Sequence, residues 1–313
     1  MEIALQGFLF VGGLAVALVA SDRAVAYTRA LAAALGAPPF IVGAVLVSLG
    51  TDLPELANSV AAHAQGEGDV NVGDSVGSTL TQYTLVLGLF PFVIRMIPID
   101  RRQIGVVTVL TVCGLALTTL LVADGWLGRW DGLALILAWA VFTVVVVKGV
   151  GGHQADDPPH VRQQRRLVQA GIVVLTLGFV GFGATVAVRA LVRLAELAGV
   201  PEFVLAFFGA SIGTSAPEIV VDITALVRGA PGIALGDALG SSLVDATLSI
   251  GTGPALFPAE VTPRFAVTGA LYSLIAVAIV GIVLGGRRRH DRASGILLFA
   301  LYATSYAVLL RML

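Results

Sequence analysis

The sequence predicts an all-α integral membrane protein: ten transmembrane helices arranged as two inverted five-helix repeats. Three observations carry that reading. The chain is 57% hydrophobic and only 12% charged, with a mean hydropathy of +0.93. Soluble domains hold about 25% charged residues. Ten apolar segments approach or exceed the roughly 20 residues that cross a bilayer. Finally, the chain repeats itself at an offset of 163 residues. S-L-G-T-D-L-P-E at 48–55 returns as S-I-G-T-S-A-P-E at 211–218, and G-D-S-V-G-S-T-L at 73–80 returns as G-D-A-L-G-S-S-L at 236–243.

The segments follow in order. The first, 3–20, reads as an uncleaved helix: Glu2 is the only early charge, and the apolar run is long for a signal peptide. Segments 39–64 and 70–94 carry the first copies of the two blocks. Segments 103–123 and 130–148 close a first repeat spanning 1–150. A polar stretch at 151–166, with Gly, Pro and mixed charge, reads as a linker. The second repeat, 167–313, runs through 167–190, 202–227, 231–256, 265–285 and 293–311. Connections this short leave no room for a soluble domain. Cys113 is the only cysteine, which excludes an intramolecular disulfide; it reads as a small buried hydrophobe.

Orientation follows from Lys and Arg, which collect on the cytoplasmic side. Fourteen of the 19 fall on one set of connections, which includes the linker and the run Arg287–Arg289. Both termini are therefore expected outside the cell and the linker inside. Arg287–Arg289 reads as a cytoplasmic loop, so no nucleic-acid partner is expected, nor any obligatory protein partner. Five helices per repeat is an odd number, so the second repeat enters the membrane from the opposite side. Secondary transporters use such inverted repeats.

The duplication is strong. Residues 43–88 align with 206–251 without a gap and share 15 of 46 positions, including Thr-x-x-Pro-Glu in register. Thr51 and Glu55 are i,i+4 and share a face if the helix is continuous. Pro54 has no N–H, so the Gly50 carbonyl loses its helical partner. Thr214, Pro217 and Glu218 do the same around Gly213. In the next helix of each repeat, Ser78 precedes Gln82 by four residues and Ser241 precedes Asp245 by four. Hydroxyl, carboxylate and carbonyl oxygens suit hard cations such as Na⁺ and Ca²⁺. Gly73 with Gly77, and Gly236 with Gly240, are spaced for close helix packing.

Asp52, Glu55, Glu218 and Asp245 are expected near mid-membrane, with Asp74, Asp222 and Asp237 nearer helix ends or vestibules. No Lys or Arg occurs at 30–94, 194–227 or 229–263. A carboxylate at a helix centre costs about 2.5–3.5 kcal/mol even on the lenient insertion scale. The counter-charge is then a dissolved cation or a proton. No cofactor is expected beyond the transported ions.

The pattern G-T-x-x-P-E followed by G-x-x-x-G-S, twice and inverted, resembles the cation/calcium exchanger superfamily. It is most similar to the prokaryotic sodium/calcium exchangers. The resemblance covers nearly the whole chain. It implies an antiporter that exchanges Ca²⁺ for Na⁺ by alternating access, with the first and sixth helices sliding against the other eight. It implies Ca²⁺ ligation by Thr51, Glu55, Thr214 and Glu218. It further implies Na⁺ or H⁺ coupling sites from the Ser48 and Ser211 carbonyls, Asp52, Ser215, Ser78 and Ser241, with Gln82 and Asp245 in the middle.

The chain departs from that pattern at several points. Asp52 stands where a serine is expected and Gln82 where Asn is usual. Thr79 and Ser242 replace the Asn that commonly follows the serine, and Asp74 and Asp237 replace the Asn after glycine. The Ca²⁺ ligands remain intact, and the coupling ion is left open between Na⁺ and H⁺. A Ca²⁺/H⁺ antiporter is the near alternative, against which Asp245 argues mildly. A passive channel is another. An intramembrane serine hydrolase is remote: G-A-S-I-G at 209–213 lacks the strand–turn–helix setting and histidine partner such a motif needs. The chain is expected not to be an enzyme.

Overall fold

The computed structural model describes residues 2–150, 163–198 and 215–310. The fold is all-α. Its helices are α1 (Glu2–Leu35), α2 (Pro39–Thr51), α3 (Leu53–Ala64), α4 (Gly68–Val93), α5 (Arg101–Leu121), α6 (Arg129–Val150), α7 (Gln163–Leu197), α8 (Ala216–Val227), α9 (Pro231–Leu256), α10 (Pro263–Gly286) and α11 (Arg292–Leu310). Among the described residues, seven helices are long and apolar enough to cross a membrane, and α2 with α3 makes an eighth, broken span. Of the expected segment 202–227, only α8 with Ser215 before it is described. The linker at 151–162 lies outside the described residues.

The expected bounds of the first and sixth helices are corrected. α1 runs 34 residues and α7 runs 35. At 1.5 Å per residue each is roughly 50 Å long, against a hydrocarbon core of about 30 Å. Such helices must tilt or project. Arg23 and Arg29 therefore sit on α1 itself rather than in a loop.

The described chain forms two compact units, Met1–Leu53 with Gln154–Asp237, and Pro54–His153 with Ala238–Leu313. Each draws on both repeats. In the first unit α1 packs along α7. A Cβ on Gly13 would lie 2.7 Å from the Gly183 carbonyl oxygen, and one on Gly183 equally close to that of Gly13, so only glycine fits this crossing. Asp22 pairs with Arg228, Arg29 Nη1 donates to the Arg228 carbonyl at 2.8 Å, and Ser21 and Thr224 hydroxyls meet at 2.8 Å. These contacts join α1 to the end of α8.

In the second unit α5 packs against α10, α6 against the end of α9, and the end of α4 against α11. Two short antiparallel ribbons fasten helix ends. Strand β1 (Met96–Pro98) pairs with β4 (Arg289–Asp291), and β2 (Trp126–Leu127) pairs with β3 (Ala259–Glu260). The ribbons occupy equivalent places in the two repeats.

Burial separates core helices from lipid-facing ones. Of the most apolar 18-residue stretch of each helix, 94% is buried in α9 and 72% in α4, against 11% in α1 and 17% in α6. Phe8, Trp130, Phe182 and Ile282 are exposed. An apolar exterior over a polar interior is what a bilayer selects. Cys113 is corrected too: it is exposed on α5 rather than buried. So are Gly73 and Gly77, which pack against nothing within 4 Å of a Cβ. They line a cavity of about 310 Å³ between α4 and α10 instead.

Candidate cation-binding site

The duplicated block is broken in the same way in each repeat. α2 ends at Thr51, and Asp52 follows with φ −79° and ψ 4°. Its counterpart Ser215 has φ −81° and ψ 7° and precedes α8. Both sit in the sparsely populated bridge region, where turns and many active-site residues are found. Pro54 and Pro217 then fall in the first turns of α3 and α8, where a missing N–H costs nothing. A continuous helix through Thr51 and Glu55 is therefore corrected. The chain stops at Asp52, and Glu55 and Glu218 each open a new half-helix. Free N–H groups and the positive end of the dipole lie at that terminus, which favours a carboxylate there.

Within the first unit, Asp52 and Glu218 present carboxylate oxygens within 4.8 Å of one another. Both are fully buried. Thr51 Oγ1 donates to Asp237 Oδ1 at 3.3 Å, and the Asp222 carboxyl is in hydrogen-bond reach of Asp237 and feels the charge of Asp52. Asp222 and Asp237 are thus interior groups, not helix-end or vestibule residues as the sequence suggested; both are 0% exposed. The Ser48 carbonyl accepts from Asp52 N at 2.9 Å and Thr51 Oγ1 at 3.1 Å. The buried Ser215 hydroxyl has no hydrogen-bond partner among the described residues. Ser211 and Thr214 lie outside the described residues.

In the second unit the repeat mates meet. Gln82 Nε2 donates to Asp245 Oδ2 at 3.3 Å, and Ser242 Oγ to Gln82 Oε1 at 2.8 Å. Ser249, one turn beyond Asp245, is likewise fully buried. Gln82 and Asp245 each begin a π-helical turn, Gln82–Val86 and Asp245–Ser249. A threonine hydroxyl lies within each turn and bonds back to the preceding one. Thr84 Oγ1 binds the Leu80 carbonyl and Thr247 Oγ1 the Leu243 carbonyl, both at 2.5 Å, where a backbone N–H would otherwise compete. Such π turns recur at functional sites. Ser78 and Ser241 are buried one turn before Gln82 and Asp245. Glu55 also belongs to this unit and is 1% exposed. On α3 and α4, Asn58 Nδ2 donates to Asp74 Oδ2 at 2.6 Å.

Among the described residues, the buried polar side chains include Asp52, Glu55, Glu218, Asp222, Asp237 and Asp245 but no Lys or Arg. Charge of that sign away from water requires protons or cations. The donor set is hard oxygen throughout, which suits Na⁺ and Ca²⁺ rather than softer metals. The sequence had no signal for the π turns or for the ribbons.

A family model described as "Sodium/calcium exchanger protein" matches residues 5–148 and again 168–311. Among curated proteins, the chain is 29% identical to inner membrane protein YrbG of Escherichia coli, over 92% of this chain and 91% of that protein. It is 27% identical to the putative antiporter CaxA of Alkalimonas amylolytica, over 94% and 95%. It is 24% identical to the sodium/calcium exchanger MaX1 of Methanosarcina acetivorans, over 95% and 96%. A solved structure of the sodium-calcium exchanger NCX_Mj superposes with a TM-score of 0.82 at 22% identity, covering 97% of this chain and 99% of the other. That likeness shows the shared fold.

Proposed function

The chain belongs to the sodium/calcium exchanger protein family, and we propose that its duplicated carboxylate blocks form the site through which it exchanges Ca²⁺ for Na⁺. It is an integral membrane antiporter of a transporter family. In this reading Thr51, Glu55, Thr214 and Glu218 ligate Ca²⁺. Asp52, Ser215, Ser78, Ser241, Gln82 and Asp245, with the carbonyls of Ser48 and Ser211, serve the coupling ion. The observation that carries it is the approach of Asp52 and Glu218 to within 4.8 Å in an interior where, among the described residues, no Lys or Arg is buried. Two carboxylates so placed repel unless a cation lies between them or a proton is shared.

In this reading access alternates as the first and sixth helices slide against the other eight. α1 and α7 cross on glycine backbones at Gly13 and Gly183, a smooth contact that allows the pair to slide as one body. With both termini outside and the 151–166 linker in the cytoplasm, the two duplicated blocks enter the membrane from opposite sides in this reading. Asp52, whose repeat mate Ser215 is neutral, adds a formal negative charge beside Glu218 and strengthens the hold on cations in this reading.

The test is ⁴⁵Ca²⁺ uptake into sealed proteoliposomes with Na⁺, K⁺ and pH gradients imposed singly. An outward Na⁺ gradient drives uptake in this reading. Uptake driven by a pH gradient and indifferent to Na⁺ would establish a Ca²⁺/H⁺ antiporter instead. Uptake with no counter-ion requirement would establish a channel.

A further inference from the structure

The contact between Gln82 and Asp245 has a chemical polarity. A carboxylate only accepts hydrogen bonds, so the end of the Gln82 amide facing Asp245 is its nitrogen, at 3.3 Å from Oδ2. The amide oxygen then points away and needs a donor. Ser242 supplies it, with Oγ at 2.8 Å from Gln82 Oε1. Gln82, Ser242 and Asp245 are all 0% exposed, so no bulk water substitutes for a missing partner. The same Ser242 hydroxyl lies 2.8 Å from the carbonyl of Ala238, one turn back on α9. It has one proton and two acceptors.

That second acceptor matters when a cation is present. A cation on Asp245 repels the amide NH₂ and attracts the amide oxygen. For Gln82 to answer, its amide must turn over, with Oε1 toward the ion and Nε2 toward Ser242. Ser242 then accepts from Nε2 and sends its own proton to Ala238. The Gln82 amide nitrogen or oxygen that faces Ser242, and the Ser242 hydroxyl itself, keep a hydrogen-bond partner in both arrangements. Thr79, the repeat mate of Ser242, does not offer this. Its hydroxyl bonds backbone carbonyls instead, those of Ser75 at 3.0 Å and Ser242 at 3.5 Å.

We propose that Ser242 is a positioning residue for the coupling ion: it holds the Gln82 amide nitrogen on Asp245 when the position is empty and lets the amide present its oxygen when Na⁺ arrives. The inference rests on the reading of Gln82 and Asp245 as the coupling position. It assigns Ser242 a role that acts through Gln82 and not through contact with the ion. A serine suits that role because it both donates and accepts through one atom.

Removal of the hydroxyl penalises the turned-over arrangement more. Orphaned buried N–H groups are rarer than under-satisfied carbonyls, and Ser242→Ala orphans the Gln82 N–H in the ion-bound state. The experiment is a cation titration of the purified full-length protein in detergent, read by thermal stabilisation with NaCl and, separately, CaCl₂. Ser242→Ala is expected to raise the half-saturating Na⁺ concentration about five- to tenfold and to leave that for Ca²⁺ within about twofold of wild type. Ser242→Thr, which keeps the hydroxyl, restores the Na⁺ value. In a Gln82→Leu background Ser242→Ala has no further effect on Na⁺.

Three results would overturn the proposal: no Na⁺ shift in Ser242→Ala, equal shifts for Na⁺ and Ca²⁺, or the same Na⁺ shift with and without Gln82. A wild-type protein that shows no Na⁺ response does so too. Failure of the exchange reading is seen separately, as gradient-driven ⁴⁵Ca²⁺ flux that survives the loss of Glu218.

Discussion

Gln82 and Asp245 stand 163 residues apart and meet through a hydrogen bond of 3.3 Å. They are equivalent positions of the two repeats, so the pseudo-twofold relation passes between α4 and α9 at this contact. Each residue also opens a π turn. The duplication therefore extends beyond sequence to a specific backbone irregularity, in the two helices most enclosed by protein. Chemically the mates differ, one an amide and one a carboxylate, which makes the pair a hydrogen bond instead of a repulsion.

Asp52 adds a carboxylate close to Glu218. Asp52→Ser is expected to change the half-saturating Na⁺ concentration several-fold, on the order of the 1–2 kcal/mol lost with one nearby charge, and to change that for Ca²⁺ less. Competition of Na⁺ with ⁴⁵Ca²⁺ uptake measures both. An unaltered Na⁺ dependence would remove Asp52 from the coupling site.

The glycines of the second unit divide into packed and open positions. A Cβ at Gly253 would lie 2.5 Å from the Ser59 carbonyl oxygen and 2.6 Å from the His63 ring, whereas one at Gly73 meets nothing within 4 Å. Gly253→Ala is expected to destabilise by about 1–3 kcal/mol through overpacking. Gly73→Ala should be neutral or stabilising by up to about 1 kcal/mol, the helix-propensity gain. Thermal unfolding in detergent separates the two. A reversed order would contradict the packing of α9 against α3.

His290 provides a pH test outside the spanning segments. In β4 its Nε2 donates to the Leu87 carbonyl and its Nδ1 accepts from Ser294 Oγ, both at 2.7 Å. Burial pushes its pKa below the ordinary 6.5, outweighing the opposite pull of the Leu87 bond. The folded state thus binds fewer protons than the unfolded state below that value. Its stability is present above pH 6.5 and is lost as pH falls from there toward the lowered folded value. A melting temperature that declines between pH 7.5 and 5.5 in wild type, and less so in His290→Gln, is expected. Equal slopes would assign the decline to other groups.

The fold was legible because hydropathy and repetition both act over long stretches. Ten apolar segments and one offset were enough for the all-α plan. The lengths of α1 and α7 were not legible, because charged residues such as Arg23 and Arg29 mark an apparent boundary that a tilted helix ignores. The break at Asp52 was misplaced for a local reason. Pro54 reads as a kink inside a helix, yet proline is equally at home in a first turn, and only the φ and ψ of Asp52 and Ser215 decide. The site residues were named from the repeat. Asp222 and Asp237 were set at the periphery, because nothing in a single chain shows that Asp222, one turn past Glu218, faces Asp237 instead of water. Gln82 with Asp245 was expected, but the hydroxyl of Ser242 between them has no signature of its own.

The most direct measurement is ⁴⁵Ca²⁺ uptake driven by an outward Na⁺ gradient in proteoliposomes holding wild type, Glu55→Gln or Glu218→Gln. Each substitution keeps the shape of the side chain and removes its charge. The account predicts uptake in wild type and a fall to the level of empty liposomes in both variants, with both still eluting as folded protein. Wild-type rates in either variant would contradict it.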